Sequence, residues 1–406
     1  MSPSRPILIA GAGIAGLALA LALARRGLPS RLLEKRTTLA EAGAGIQLGP
    51  NAMRVLQALG IARRLEPRAG KPLAIVTFDG RSGRKLAEFP LGPCLEQRFG
   101  APYWVAHRTD LHAALLSAVR ETPSIELVTG FEVSEFRTAA DTVRVEAVGG
   151  ADSEGSALVG ADGLWSAVRE RLFPGHAPRF AGRMAVRTVI RSDAARGRFA
   201  EPRTGVWLGP GAHVVHYPIR AGQAIACVVI ADEDAPRHHG WGQPMACEAV
   251  LARLLGYAPE LLWFLERGTD WHAWSLFDAP PLPNWSQGRV GLVGDAAHPM
   301  LPFLAQGGAM ALEDAATLAE ALAAVPQDPA RALSLCEAAR YRRVCRVQAA
   351  SRLSGSIYQL TGVAGLLRDL ALAAVPGAIL MRRYDWLYGW RGDALAFPRA
   401  KWADRP

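Results

Sequence analysis

The segment His213-Val214-Val215-His216-Tyr217-Pro218 places two histidines and a tyrosine in one short apolar run. In a strand, His213, Val215 and Tyr217 would lie on one face and His216 on the other. At about 3.3 Å per residue, His213 and Tyr217 would be about 13 Å apart, enough to flank one aromatic ring. A histidine with a pKa near neutrality can accept a proton from a ring hydroxyl. The ordinary alternatives are a hydrogen-bonded sheet histidine and a core tyrosine.

The sequence does not indicate a metal centre. His213 and His216 would point to opposite faces, and no carboxylate cluster accompanies them. The five cysteines are widely spaced and form no Cys-x-x-Cys motif; they are Cys94, Cys227, Cys247, Cys336 and Cys345. This pattern predicts neither a zinc site nor a disulfide framework, and it favours a reduced, cytoplasmic protein.

The elements that could hold a cofactor begin near the N terminus. An apolar strand-like run, PILIA, precedes Gly11-Ala12-Gly13-Ile14-Ala15-Gly16, a helix-forming stretch to Gly27, and a second strand ending in Glu34. In this order Gly11 permits a tight turn, Gly13 admits a pyrophosphate, and Gly16 lets helix and strand pack closely. The helix N terminus supplies N–H groups and a positive dipole end. Glu34 has the spacing of a carboxylate that binds ribose hydroxyls, which favours FAD or NAD over NADP.

Two later turns help to choose between FAD and NAD. The run ALVGADG ends a strand at Asp162-Gly163, and RVGLV leads into Gly294-Asp295 before a helix that begins near Gly307. A dehydrogenase keeps its dinucleotide within one contiguous fold of about 150 residues. Extended FAD instead needs remote groups: an Asp for the ribityl hydroxyls and a helix N terminus for the flavin pyrimidine edge. The three turns together predict one FAD.

With these motifs the chain resembles the single-component FAD-dependent aromatic hydroxylases, the flavoprotein monooxygenase group that contains salicylate hydroxylase and 3-hydroxybenzoate 6-hydroxylase. The matching motifs are GAGIAG with Glu34, VGADGLWSAVR and GDAAHPMLPFLAQGGAMALEDA, with support from HRTDLH, GAGIQLGPNAMRVLQALG and YDWLYGW. The resemblance implies an α/β fold: a GR2-type, Rossmann-like FAD-binding domain interleaved with a β-sheet substrate domain, then a C-terminal helical segment.

The predicted domain boundaries follow this scheme. Residues 1–177 form the first part of the FAD-binding domain, with an inserted substrate-side segment at about 70–105. Residues 178–286, which contain the strand-like runs MAVRTVI, GVWLGP, HVVHYPI and AIACVVI, form the substrate domain. Residues 287–330 return to the FAD-binding domain, and residues 331–406 form the helical region.

The resemblance also implies roles for individual residues. The pyrophosphate would lie against Gly11, Ala12, Gly13 and Ala15, with Gly16 behind them, and the adenosine ribose against Glu34 and Lys35. Gln47 and Arg108 would lie near the ribityl chain and pyrophosphate, and Val133 would edge the adenine. Asp295 would bind the ribityl and pyrophosphate portion, and Gly307, Gly308 and Ala309 would donate N–H groups to the pyrimidine edge. Asp162 would touch both FAD and the transiently bound NAD(P)H; its alternative role is a helix N-cap.

The implied reaction is the hydroxylation of a small phenolic or hydroxypyridine carboxylic acid, as in the catabolism of aromatic compounds. FAD would be bound tightly but non-covalently, NADH transiently, and O₂ would form a flavin C4a-hydroperoxide. In the family His213 would deprotonate the phenol, and Tyr217 would hydrogen-bond the substrate. NADPH, urate, a quinone-precursor phenol, a polyketide, and a non-catalytic FAD-binding redox partner remain as alternatives. A monomer and a homodimer are both open.

Charge and the remaining candidates add less. The net charge of +9 comes from scattered basic residues, which favours small anions and gives no nucleic-acid arm. The run GVAGLLRDLALAAVPGAIL is interrupted by Arg368, Asp369 and Pro376, so it predicts a packed helix and no integral membrane segment. Three weaker candidates remain near the site: His298 would fix the turn before Pro299, Gln306 would reach the flavin or the substrate, and Arg187 would lie near an anionic substrate. His238 and His239 are predicted to lie in a loop. Trp386 and Trp390 are predicted to pack between helices.

Overall fold

The computed structural model describes residues 5–39, 45–236 and 242–392. The predicted loop at His238 and His239 therefore lies outside the described residues.

The strands are β1 (Ile7–Ala10), β2 (Ser30–Glu34), β3 (Gly45–Leu48), β4 (Ala74–Asp79), β5 (Lys85–Pro90), β6 (Trp104–His107), β7 (Ile125–Thr129), β8 (Val133–Thr138), β9 (Val143–Ala147), β10 (Asp152–Gly155), β11 (Ala157–Gly160), β12 (Arg179–Arg191), β13 (Arg203–Gly209), β14 (Ala212–Ile219), β15 (Ala224–Asp232), β16 (Gln243–Met245), β17 (Trp271–Asp278), β18 (Ser286–Gln287) and β19 (Val290–Leu292).

The α-helices fill the connections between these strands and the C-terminal part of the chain. They are α1 (Ile14–Ala24), α2 (Pro50–Ala58), α3 (Ile61–Leu65), α4 (Gly92–Phe99), α5 (Arg108–Arg120), α6 (Ala167–Leu172), α7 (Cys247–Leu251), α8 (Pro259–Leu265), α9 (Gly307–Ala324), α10 (Pro329–Tyr358), α11 (Gly362–Ala374), α12 (Gly377–Met381) and α13 (Asp385–Tyr388). Helix α1 packs against α5 and α9.

A six-stranded sheet in the order β18-β19-β11-β1-β2-β7 forms the first layer. All its strands are parallel except β18 at the edge. Strands in such a sheet are covered on both faces and need apolar side chains on both, and ILIA and ALVG are buried throughout. The register sets Ala10 beside Gly160, and Gly160 beside Leu292. The three predicted turns, far apart in sequence, therefore start from one edge of one sheet.

An eight-stranded sheet in the order β16-β17-β12-β15-β14-β13-β4-β5 forms the second. Its pairs are antiparallel except β4 with β13. The four predicted runs lie in β12 to β15, while β4 and β5 come from residues 74–90. We call the side that carries His216 the outer face; it packs under α7 and α8. The inner face carries His213, Val215 and Tyr217 and packs against the turn before α9.

The C-terminal helices differ from each other in burial. Helix α9 is buried over most of its length, whereas Leu366, Leu367 and Leu370 of α11 are exposed. The prediction that this apolar run is packed is therefore wrong for α11, because apolar spacing predicts a helix but not what covers it. Within the described ranges, no single helix is long and apolar enough to cross a membrane; α11 and Gly377–Tyr388 pass that test only as a pair bent by 105°.

Candidate active site

The first glycine turn requires glycine at two positions. Gly11 has φ +99°, and a Cβ there would lie 2.7 Å from the Ala161 carbonyl oxygen. A Cβ on Gly16 would lie 1.9 Å from the Gly11 carbonyl oxygen, so helix and turn could not approach as they do. A Cβ on Gly13, by contrast, would meet no described atom within 4 Å. The turn thus presents open space at the N terminus of α1, where a pyrophosphate fits.

The predicted adenosine-binding residues lie together at the end of β2. The Glu34 carboxylate accepts hydrogen bonds from the Ala12 N–H at 2.8 Å and the Arg36 N–H at 3.0 Å. The Phe131 N–H donates to the Glu34 carbonyl at 2.9 Å, so the segment that leads to Val133 runs beside Glu34. Lys35 is exposed at the same end, and Ala15 is half-buried in the first turn of α1.

His112 is a support for this turn that the sequence did not reveal. Its Nε2 lies 2.9 Å from the Ala12 carbonyl oxygen and donates to it, since that oxygen can only accept. His112 lies one helical turn after Arg108 in α5, so both side chains occupy one face of that helix. This spacing within HRTDLH was the signal that could have identified it.

At the second turn, the N-cap of helix α6 is Ser166 and not Asp162, so the alternative role predicted for Asp162 is wrong. Ser166 caps α6, because its Oγ accepts a hydrogen bond from the Arg169 N–H at 2.9 Å. Asp162 holds that cap: it accepts from the Ser166 hydroxyl at 2.5 Å and from the Val168 N–H at 3.2 Å. Burial raises the pKa of Asp162, and these hydrogen bonds oppose the rise.

Arg169 connects the second turn to the third. Its guanidinium donates to the carbonyl oxygens of Leu164 at 2.5 Å and Ala296 at 3.1 Å. The sequence motif VGADGLWSAVR ends at this arginine, yet nothing in its local pattern shows that it reaches a segment more than 120 residues away. The contact fixes the two strand ends relative to each other.

The third turn is tied to α9 by a buried carboxylate. Asp314 accepts from the Gly294 N–H at 3.0 Å, lies 2.5 Å from His298 Nε2, and accepts from Arg340 Nε at 2.7 Å. Burial raises the pKa of Asp314, but His298 and Arg340 outweigh it, and the pKa lies below its usual range. His298 therefore fixes the turn before Pro299, as the sequence predicts.

The N terminus of α9 presents the predicted flavin-edge residues. A Cβ on Gly307 would lie 3.8 Å from Asp295 Oδ1, so the exposed Asp295 carboxylate adjoins the first turn of the helix. Gly308 lies against Ile46, and Ala309 is buried behind them. Gln306 is buried as well and accepts a hydrogen bond from Asn51 Nδ2 at 3.0 Å.

Strand β3 joins the cofactor side to the inner face of the large sheet. A Cβ on Gly308 would lie 2.8 Å from Ile46 Cδ1, and a Cβ on Gly45 would lie 2.1 Å from Tyr217 Cε2. Gln47, on the same strand, accepts from the Tyr103 hydroxyl at 2.5 Å. Strand β6 pairs with β3 and ends directly before Arg108. Gln47 lies in the two-stranded sheet of β3 and β6, and Arg108 directly follows it; this sheet lies between α9 and Tyr217.

On the inner face His213 lies among aromatic rings. Its ring centre is 5.5 Å from that of Phe303 and 5.2 Å from that of Tyr358. Its Nδ1 has no hydrogen-bond partner among the described residues. Burial, with a smaller contribution from Arg183, lowers the pKa of His213 to about 3, so the imidazole is neutral at pH 7 but is a weaker base than the histidine of near-neutral pKa that the sequence predicted. Burial raises the pKa of Tyr217 to about 12, against the effect of Arg187, so its hydroxyl stays protonated.

Between His213 and Tyr217 runs a cross-strand row that is only half-buried. Val215 pairs with Val228, and Val228 with Arg187. All three are partly accessible, whereas His213 and Tyr217, in the flanking rows, are buried. Partly accessible side chains in the middle of a sheet that other elements cover indicate that those elements leave space above the row. This row is the floor of the candidate substrate site.

His216 lies on the outer face, and the predicted opposite orientation of the two histidines is confirmed. Its ring centre is 5.0 Å from that of Phe199 and 5.9 Å from that of Phe264. A pocket bordered by His216, Arg198 and Lys85 opens on that side, away from the three turns. The cations there have acceptors, since Arg198 pairs with Glu260 at 3.3 Å and Lys85 with Glu88 at 3.1 Å.

Known proteins match almost the whole chain. A family described as FAD binding domain matches residues 4–354. The chain is 38% identical over 384 residues to 3-hydroxybenzoate 6-hydroxylase 1 of Aquipseudomonas alcaligenes, covering 94% of this chain and 97% of that protein. It is 38% identical over 397 residues to a 3-amino-4-hydroxybenzoate 2-monooxygenase of Streptomyces platensis, covering 96% and 97%. A solved salicylate hydroxylase substrate complex has a TM-score of 0.83 at 24% identity over 98% of both chains, which confirms the fold class.

Proposed function

This chain belongs to the FAD-binding domain family and is a FAD-dependent aromatic monooxygenase, and on that premise we propose its substrate. The substrate is a small phenolic or hydroxypyridine carboxylic acid, and NADH is the reductant. Relatives of equal identity are named for two different hydroxybenzoates, which share a ring hydroxyl and a carboxylate. The proposal keeps that shared chemistry and leaves open which ring carbon is hydroxylated.

One observation carries the proposal: the half-buried row of Val215 and Val228 lies between His213 and Tyr217. An aromatic ring on these valines would have a neutral histidine on one side and a protonated tyrosine on the other. His213 would accept the proton of the ring hydroxyl, because a phenolate is a better nucleophile toward an electrophilic oxygen than a phenol is. Tyr217 would donate a hydrogen bond to the substrate's oxygen substituent.

The described residues fit FAD at the first and third turns. Gly13 is the N-cap residue of α1 and Gly307 is the first residue of α9, so both present N–H groups at helix N termini, and Asp295 adjoins the second of these. Glu34, Gln47 and Arg108 are the proposed contacts between them. When bound, the flavin would supply the redox chemistry, with NADH as the proposed reductant and O₂ as the proposed oxidant. The chain's own residues position the ring and move its proton.

Location and assembly are secondary proposals. All five cysteines lie in the described ranges and are free, which supports a reduced, cytoplasmic setting. A monomer or a homodimer remains a prediction.

The test is NADH oxidation by the purified holoenzyme with a panel of hydroxybenzoates and hydroxynicotinates. We expect one or more acids to stimulate NADH oxidation and to yield one hydroxylated product per NADH consumed, as measured by chromatography. Benzoate, which lacks the hydroxyl, is the matched control and should give no product. An oxidation rate that no aromatic acid changes, with no hydroxylated product, would contradict the proposal.

A further inference from the structure

Arg187 lies on the inner face, and none of the described carboxylates lies within ion-pair distance of its guanidinium. Its guanidinium carbon is 5.1 Å from the centre of the Trp274 ring, and its Nε is shielded from solvent without a hydrogen-bond partner among the described residues. Arginine stays protonated in proteins. Burial of a charged group without a counter-charge or hydrogen bonds is costly. Burial lowers the pKa of Arg187, which reflects the same cost.

Its neighbours on the same strand show that this condition is particular to Arg187. Arg183, Arg187 and Arg191 are spaced four residues apart along β12, so their side chains lie on the same side of the strand. Arg183 pairs with Asp232 at 3.4 Å, and Arg191 pairs with Asp193 at 2.5 Å. Within the described ranges no carboxylate lies at ion-pair distance from Arg187. The strand thus presents one cation toward the interior for an anion that the described protein does not supply.

The position of Arg187 indicates what that anion is. Arg187 is the third member of the half-buried row, next to Val228 and Val215, and so adjoins the floor on which the ring is proposed to lie. Tyr217 is close enough for its charge state to affect the pKa of Arg187. A tyrosine hydroxyl and a guanidinium that share one region form a donor set for a carboxylate.

We propose that Arg187 binds the carboxylate of the substrate and so selects aromatic acids over neutral phenols; this rests on the function proposed above. The planar guanidinium makes two parallel hydrogen bonds to the two carboxylate oxygens, which lysine's single ammonium group cannot reproduce. With the carboxylate held at Arg187 and the hydroxyl at His213, the ring lies in one orientation over the valines. Arg187 therefore determines both which molecules bind and which ring carbon is presented for hydroxylation.

The experiment measures ligand binding to the oxidised holoenzyme from the change in its flavin absorbance, without turnover. The probes are 3-hydroxybenzoate and its neutral analogue 3-hydroxybenzamide, or the corresponding pair for whichever aromatic acid in the panel gives the largest change. The variants are Arg187→Gln and Arg187→Lys. The matched control is Arg191→Gln, which removes a guanidinium from the same side of the same strand at an exposed position.

We expect Arg187→Gln to raise the Kd of the acid on the order of 10- to 100-fold, the loss of a charge-assisted pair, and that of the amide by less than about twofold. Arg187→Lys should give an intermediate Kd for the acid, and Arg191→Gln should change neither. Equal weakening of acid and amide, or no weakening, would overturn the role of Arg187 while leaving the proposed function intact. Loss of bound FAD from Arg187→Gln would overturn it in favour of a phosphate contact. A wild type that binds no aromatic acid would overturn both proposals.

Discussion

The two faces of the large sheet each carry a histidine from the same strand, and the pair separates burial from function. His213 and His216 are both buried, each has a ring nitrogen without a hydrogen-bond partner among the described residues, and burial lowers the pKa of each to about 3. They differ in what lies opposite. His213 faces Phe303, next to the third turn, whereas His216 faces Phe199 and Phe264 in an apolar core. What separates them as candidates for the oxidation site is position: His213 lies beside the third turn, whereas the pocket bordered by His216 lies on the opposite face of the sheet.

The largest difference between the faces should appear in turnover. Because His213 is the proposed proton acceptor, His213→Leu should lower kcat/KM for the best phenolic acid by about 100- to 10,000-fold. The matched change His216→Leu should leave kcat/KM within about twofold, since it alters the apolar core. Stopped-flow or steady-state NADH oxidation with product analysis measures both, and flavin content verifies folding. Equal losses in two folded variants would remove the distinction drawn between the faces.

A pair of glycines offers a second comparison. A Cβ on Gly45 would lie 2.1 Å from Tyr217 on the inner face, and a Cβ on Gly205 would lie 2.0 Å from His216 Nε2 on the outer face. Both Gly45→Ala and Gly205→Ala should lower the free energy of unfolding by about 1–3 kcal/mol, because each overpacks its site. Only Gly45→Ala should also weaken binding of the aromatic acid, since only Tyr217 borders the proposed floor. Urea unfolding and flavin-absorbance titration measure the two effects, and weaker acid binding by Gly205→Ala would contradict the assignment.

The smallest difference is expected in the pH dependence of stability. Each histidine has a pKa near 6.5 when unfolded and about 3 when folded, so the unfolded chain takes up protons first as the pH falls. Stability is therefore lost between pH 6.5 and about 3, by up to about 1.4 kcal/mol per pH unit for each histidine. His213→Leu and His216→Leu should each reduce the loss of unfolding free energy at low pH, and by similar amounts. Urea unfolding at pH 5 and pH 7 measures it; a change in one variant alone would show that the two sites differ in burial after all.

The sequence predicted the cofactor side better than the substrate side, and the reason is the range of the signals. Each turn combines an apolar strand with a glycine or an aspartate within a few residues, and a parallel sheet aligns such strand ends at one edge. The strand β2 ends at Glu34 and α9 begins at Gly307, as predicted. The fold class is confirmed, whereas the domain boundaries and the roles of individual residues stay predictions.

The substrate side depends on contacts that no local pattern encodes. Phe303 and Tyr358 reach His213 from elements that follow it by about 90 and 145 residues. Arg187 was one of several scattered arginines until the pairing of three strands put it beside Val228. Ser166 caps α6 in place of Asp162, because the chain makes one further turn before the helix begins. In each case tertiary packing decided between alternatives that local residue patterns left equal.

The order β18-β19-β11-β1-β2-β7 also bears on how the protein is made. β1 emerges from the ribosome first, but β11, its neighbour on one side, follows about 150 residues later, and β19 later still. The nascent chain therefore carries an apolar strand with an unpaired edge through most of its synthesis. Unpaired strand edges promote aggregation, which chaperones prevent. If α9 holds the flavin end as we propose, the complete FAD site can form only after Ala324 has been translated, which is most of the way along the chain.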